Sequence, residues 1–292
     1  MAVANQNQCL CLALIFVFGT SLVFQGSSRT LQSQDESSMH ERHDQWMAQY
    51  GRVYKDLNEK AKRFKIFKEN VAFIDSFNAA NNKPYKLGLN QFADLTNEEF
   101  TASRNRFKGH MCSNTATTFK YENELVDCDV NGEDEGCEGG LMDDAFDFIQ
   151  NNKGLTSEAN YPYTGQDGTC NTNKESNHVA TINGHEDVPA NSEEALLKAV
   201  ANQPVSVAID ASGSEFQSYS GGIFTGPCGT ELDHGVTAVG YGVADDGTKY
   251  WLVKNSWGTT WGENGYIRMQ RDVDAKEGLC GIAMQASYPT AK

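Results

Sequence analysis

The residues best suited to chemistry lie late in the chain. His234 stands in Leu232-Asp233-His234-Gly235, at the head of a small, apolar, glycine-rich stretch. An imidazole there is a candidate general base, because its charge changes near neutral pH. Such a base needs a nucleophile to activate and a third group to orient its ring. The chain is also supplied with cysteines. Beyond Cys9 and Cys11 there are six, at 112, 128, 137, 170, 228 and 280. Six cysteines allow fifteen pairings as disulfides, and spacing alone does not choose among them. Neither a metal nor a cofactor is expected.

The chain must supply elements to hold these groups. Its 292 residues suffice for one large domain or two smaller ones, and 39% hydrophobic content provides a core. A net charge of −15 argues against nucleic acid and anionic membrane surfaces as partners. The charge is uneven. Residues 29–123 hold fifteen Lys and Arg against twelve Asp and Glu, whereas residues 124–292 hold nine against twenty-seven. A mildly basic front half beside a strongly acidic back half suggests two units that attract each other. The apolar run 9–24, followed by Gly26, Ser27 and Ser28, reads as a secretory signal peptide over 1–26. Its removal leaves no membrane span. The secretory route admits disulfides and places the product in the vacuole or lysosome, or outside the cell.

Helices are predicted over 37–50 and 58–79, the second from apolar positions Ala61, Phe64, Ile66, Phe67, Val71, Phe73, Ile74 and Phe77. Gly88 to Asp94 reads as a short strand and turn, and Thr96 as the N-cap of a helix through Phe100. Residues 105–123 are weakly patterned, as a linker is. Further helices are predicted over 140–152, stopped by Gly154, and over 191–203, capped by Asn191 or Ser192. Strands are predicted over 205–210, 234–241, 249–255 and 265–270.

The second helix carries Glu59, Arg63, Phe67, Asn70, Ile74 and Asn78, spaced E-x3-R-x3-F-x2-N-x3-I-x3-N. Gly88, Asn90, Phe92 and Asp94 follow as G-x-N-x-F-x-D. Together they resemble the inhibitory propeptide of cathepsin L-like cysteine proteases. CEGG at 137–140, LDHG at 232–235, KNSWGTTWGENGYIR at 254–268 and CGIAMQASYP at 280–289 are landmarks of the same papain family. The resemblance covers nearly everything after residue 36 and is nearest to plant vacuolar or senescence-type members.

The resemblance implies an α+β fold: a signal peptide (1–26), a helical inhibitory propeptide (37–95), a linker (96–123) and a papain-like two-lobe peptidase domain (124–292). It implies that His234 is the general base, that Asn255 orients it and that Trp257 shields their hydrogen bond. Gly139 and Gly140 match positions whose backbone holds extended peptide. Leu141, Met142, Ala208, Gly235 and Gln285 match the lining of the main apolar specificity pocket. Cys128–Cys170 and Cys228–Cys280 match structural disulfides. The implied partners are peptide or protein substrates and, through the propeptide, related cysteine proteases.

The nucleophile departs from this pattern. The family signature C-G-[SA]-C-[WY] stands about 130–150 residues before the histidine. This chain contains no C-x-x-C-W, and that interval falls in the propeptide. Phe119-Lys-Tyr-Glu-Asn123 resembles the end of a linker, and Glu124-Leu-Val-Asp-Cys128 resembles a point well inside the mature domain. The comparison implies that a block of about fifty residues is absent between them. That block carries the cysteine and the central helix behind it, so the helical lobe is expected to be largely lost and the β-rich lobe retained. Helix 140–152 would then present Leu141, Ala145, Phe146 and Phe148 partly to water. Cys137, whose partner would lie in the block, is left to pair with Cys112 or to stay free. Three readings follow: an inactive peptidase zymogen; a pseudoenzyme or propeptide-type inhibitor of related proteases; and a splice or gene-model variant.

Overall fold

A computed structural model describes residues 36–104, 123–130 and 134–291. The expected signal peptide, the linker residues 105–122 and Cys112 lie outside the described residues. The chain forms two compact units, divided between Lys68 and Glu69.

The first unit holds helix α1 (36–49) and the first half of α2 (Leu57–Ala80). Phe67 is fully buried among aromatic rings, 4.9 Å from His43 and 5.3 Å from Trp46 between centroids. His43 in turn meets the Tyr54 hydroxyl through Nε2 at 3.5 Å. Glu59 and Arg63, one turn apart on α2, form the i,i+4 ion pair at 2.7 Å.

The second unit begins with the rest of α2. Asn78 acts as a strand partner made from a side chain. Its Nδ2 donates to Leu87 O at 2.8 Å, and its Oδ1 accepts from Leu87 N at 3.1 Å. Strand β1 (Tyr85–Leu87) is thereby fixed earlier in the chain than the strand predicted over 88–94. Residues 88–94 form turns instead, because Asn90 Oδ1 accepts from Phe92 N at 2.9 Å and curls the backbone. Asn70 donates to Ala93 O and Leu95 O and closes that turn onto α2.

Helix α3 (Asn97–Arg104) starts at a reciprocal cap. Glu99 N donates to Thr96 Oγ1 at 3.1 Å, and Thr96 N donates to Glu99 Oε2 at 3.2 Å. After the linker come α4 (Asn123–Cys128), a 3₁₀ turn at Gly136–Glu138 and α5 (Met142–Asn151). The lone buried apolar residue of α5 is Ile149. Leu141, Ala145, Phe146 and Phe148 are all half-buried. Short α6 (Thr172–Glu175) follows, and the Cys128–Cys170 disulfide joins its approach to α4.

The rest is a sheet. Its strands are β1, β2 (Gly184–Asp187), β3 (Val205–Ile209), β4 (Tyr219–Phe224), β5 (His234–Val243), β6 (Lys249–Lys254), β7 (Tyr266–Gln270) and β8 (Ala286–Thr290). They run in the order β1-β4-β7-β6-β5-β3-β8-β2, antiparallel except where β4 meets β7. Helix α7 (Glu193–Val200) begins at Ser192, whose hydroxyl accepts from Ala195 N, and buries Leu196 and Val200. Helix α8 (Ser214–Gln217) precedes β4. The core gathers Trp251, Trp261, Phe216, Tyr219 and Phe224, with Tyr85, Leu87, Phe92 and Phe100 packed into it. Cys228–Cys280 closes the far side. Among the described residues, no helix is long and apolar enough to cross a membrane.

Candidate active site

Antiparallel pairing of β5 with β6 sets Thr237 opposite Lys254, so the start of β5 lies beside the end of β6. That places His234, the first residue of β5, against Asn255, the residue after β6. His234 Nε2 and Asn255 Oδ1 are 2.9 Å apart, and both residues are buried. Ser256 N also donates to Asn255 Oδ1, at 2.6 Å. Oδ1 is therefore the acceptor on that amide, and His234 Nε2 carries the hydrogen. The ring's basic lone pair then sits on Nδ1, the tautomer that a base held by an amide adopts.

Trp257 covers this pair. Its indole stacks on the imidazole with centroids 4.7 Å apart and planes inclined by 22°. Four rings meet Trp257 near a right angle: Phe92, Phe100, Phe216 and Trp261, at 5.0–5.9 Å. Edge-to-face contacts of this kind fix a ring beyond simple burial. Gln91 Nε2 donates to Trp257 O at 2.6 Å, Asn90 Nδ2 to Gln217 O at 2.7 Å and Asn97 Nδ2 to Ser212 O at 2.9 Å. Sequence reasoning singled out Asn90 and Phe92 but missed Gln91, Asn97, Phe100 and Gln217 as their neighbours at the site. Nothing local in the sequence marks contacts spanning more than a hundred residues.

Other candidate residues gather around α5. Leu141, Met142 and Gln285 line a cavity of about 470 Å³, together with Asp143, Asp187, Met284 and Ala286. Gly139, Gly140, Leu141 and Met142 line a smaller one of about 260 Å³ with Leu125, Asp129 and Asp134. Ala208 and Gly235, expected in the main pocket, do not line the larger cavity. They face each other across β3 and β5, where Ala208 is fully buried and its N–H donates to Gln285 O.

The glycines have a local reason of their own. A Cβ on Gly140 would fall 1.7 Å from Asp134 Oδ1, which accepts from Leu141 N at 2.8 Å. Gly139 has φ 103°. Beside them, burial lifts the Asp129 carboxyl to about 8, helped by the hydrogen bond its protonated form donates to Asp134 and by the charge of Asp134.

Both expected disulfides are present. Cys137 is disulfide-bonded as well, which removes it as a free thiol. Asn123 and Glu124, at the expected junction, are buried in α4. Asn123 Oδ1 accepts from Thr164 N, and Glu124 accepts from Asn152 Nδ2 and Thr156 N. Burial raises the Glu124 carboxyl above its usual range.

The profile of papain family cysteine proteases matches residues 101–290, and that of the cathepsin propeptide inhibitor domain matches residues 43–100. The senescence-specific cysteine protease SAG39 of Oryza sativa subsp. indica is 50% identical over 341 positions, covering 97% of this chain and 96% of its own length. Vignain of Ricinus communis is 46% identical over 343 positions, covering 97% of this chain and 94% of its own. A match of 341 positions against 292 residues leaves at least 49 that the relative fills and this chain does not. Among solved structures, a recombinant stem bromelain precursor superposes with a TM-score of 0.78 at 40% identity, covering 87% of this chain and 99% of that one. Procathepsin L 3 of the Tenebrio molitor larval midgut gives 0.75 at 32% identity, covering 87% and 99%.

Proposed function

Because this chain belongs to the papain family of cysteine proteases, we propose that it is a peptidase proform that lacks its nucleophile and does not cleave peptides. The observation that carries this reading is the absence of any C-x-x-C-W ahead of His234.

In this reading His234 is a base whose Nε2–H is held by Asn255, and among the described residues every cysteine is in a disulfide. Trp257 keeps water from their hydrogen bond. Gly139 and Gly140 offer backbone to an extended peptide, and Leu141, Met142 and Gln285 offer an apolar pocket to one of its side chains. Cys128, Cys137, Cys170, Cys228 and Cys280 are in disulfides and provide no thiolate. The chain travels the secretory route to a vacuole or the cell exterior.

The test is turnover of a fluorogenic peptide with an apolar residue before the scissile one, by full-length chain incubated at acid pH. The expected rate is that of the buffer. Turnover abolished by a thiol alkylator overturns the proposal. A second reading rests on the intact match to the propeptide inhibitor domain over 43–100: the chain restrains related cysteine proteases. In the same assay, added full-length chain slows a cathepsin L-like enzyme at micromolar concentration. No slowing at a hundredfold excess removes that reading.

A further inference from the structure

Away from His234, four side chains that ligate metals converge between α5 and β2. Asp143 and Asp147 are one turn apart on α5 and so share a face. His185 and Asp187 are two apart on β2 and share a face of the strand. One ligand atom each from Asp143, His185 and Asp187 all lie within 4.8 Å of one another.

Two further observations concern how this cluster is held. The fourth side chain, Asp147, stands 3.5 Å from His185 Nδ1 through its Oδ1. Phe146 stacks along the imidazole at 5.9 Å and 28°. A histidine whose one nitrogen faces a carboxylate presents the other as a ligand, in the arrangement common behind metal-bound imidazoles. Asp143 Oδ1 is buried and accepts no hydrogen bond in the structure. A buried carboxylate oxygen without a donor carries an uncompensated desolvation cost, which a cation removes.

We infer that Asp143, His185 and Asp187 form a divalent-cation site, with Asp147 orienting the histidine, and that it takes Zn²⁺. The donor set of one imidazole and two carboxylates suits zinc, with water completing four-fold coordination. Asp187 is exposed, so the site opens to solvent. Asp143 and Asp187 also line the larger cavity beside Leu141, Met142 and Gln285. A bound ion therefore ties α5 to the edge strand of the sheet and sets a positive charge at that cavity's rim. The inference is independent of the missing nucleophile.

The test is equilibrium dialysis of the untagged full-length chain against micromolar ZnCl₂, with the metal counted by atomic spectrometry. One equivalent is expected. Asp143→Asn and His185→Gln each weaken binding at least tenfold, and Asp147→Asn weakens it less. No saturable binding, or binding unchanged in both ligand variants, overturns the inference. Because a variant can lose binding by unfolding, a second measurement uses the unaltered chain. Zn²⁺ should slow carbethoxylation of His185 at least fivefold, read by mass spectrometry of its peptide. Labelling at the same rate with and without Zn²⁺ overturns the inference on its own.

Discussion

Asn255 Oδ1 receives two hydrogens, one from His234 and one from the Ser256 backbone, and Trp257 stacks on the His234 ring. Removing the amide takes this acceptor from two donors at once. Asn255→Ala is accordingly expected to lower stability by about 2–4 kcal/mol, since a buried donor left without a partner costs about 1–3 kcal/mol. The measurement is urea unfolding followed by tryptophan fluorescence. A loss below about 0.5 kcal/mol would show that the pair contributes nothing to the fold. His234, Asn255 and Trp257 were legible in the sequence because LDHG and KNSWG are compact, distinctive strings. Phe92 and Phe100 as neighbours of Trp257 were not, since their packing joins residues more than 150 positions apart. Asp143 with His185 was hidden for the same reason: 42 positions separate them, and no local spacing announces a ligand set.

At the scale of the element, periodicity located what burial makes periodic. Helices α2, α3, α5 and α7 and strands β3, β5, β6 and β7 stand within a few residues of their predicted places. Each has an apolar face of its own, such as Leu196 and Val200 on α7. Strands β1, β2, β4 and β8 were missed. β2 is the polar stretch Gly-His-Glu-Asp, and β4 contains Gly221 and Gly222, so neither alternates. They are strands because of their partners: Gly184 to Asp187 against Thr290 to Ser287, and Ile223 and Phe224 against Arg268 and Met269. Short α4 was also missed, and its end leads into a titration. Asp129 is un-ionised in the folded chain up to about pH 8, because burial and Asp134 disfavour its charge. In the unfolded chain it ionises near pH 4. The folded state thus binds the extra proton, and stability falls as pH rises between those values, by at most about 1.4 kcal/mol per unit. Asp129→Asn is expected to flatten the profile of melting temperature between pH 4 and 8. An unchanged slope in the variant would assign the pH dependence to other groups.

For the whole molecule, the informative boundary is not the one in the sequence. Texture changes near residue 124, yet the compact units divide at Lys68, because β1, the 88–94 turn and α3 belong to the second unit. Tyr85 opposes Gly222 and Lys86 opposes Gly221, and Ile223 N donates to Pro84 O. Phe100 is wholly enclosed. Limited proteolysis between 105 and 122 is therefore expected to give two polypeptides that co-elute on size exclusion in native buffer and separate in urea once a reductant has opened the Cys137 disulfide. Separation in native buffer would contradict this packing. The consequence of β1 reaches past inhibition. A strand that completes its neighbour's sheet and lends it Tyr85, Leu87, Phe92 and Phe100 behaves as a built-in assembly partner. Cutting the chain changes its covalent bookkeeping and leaves the folded object whole.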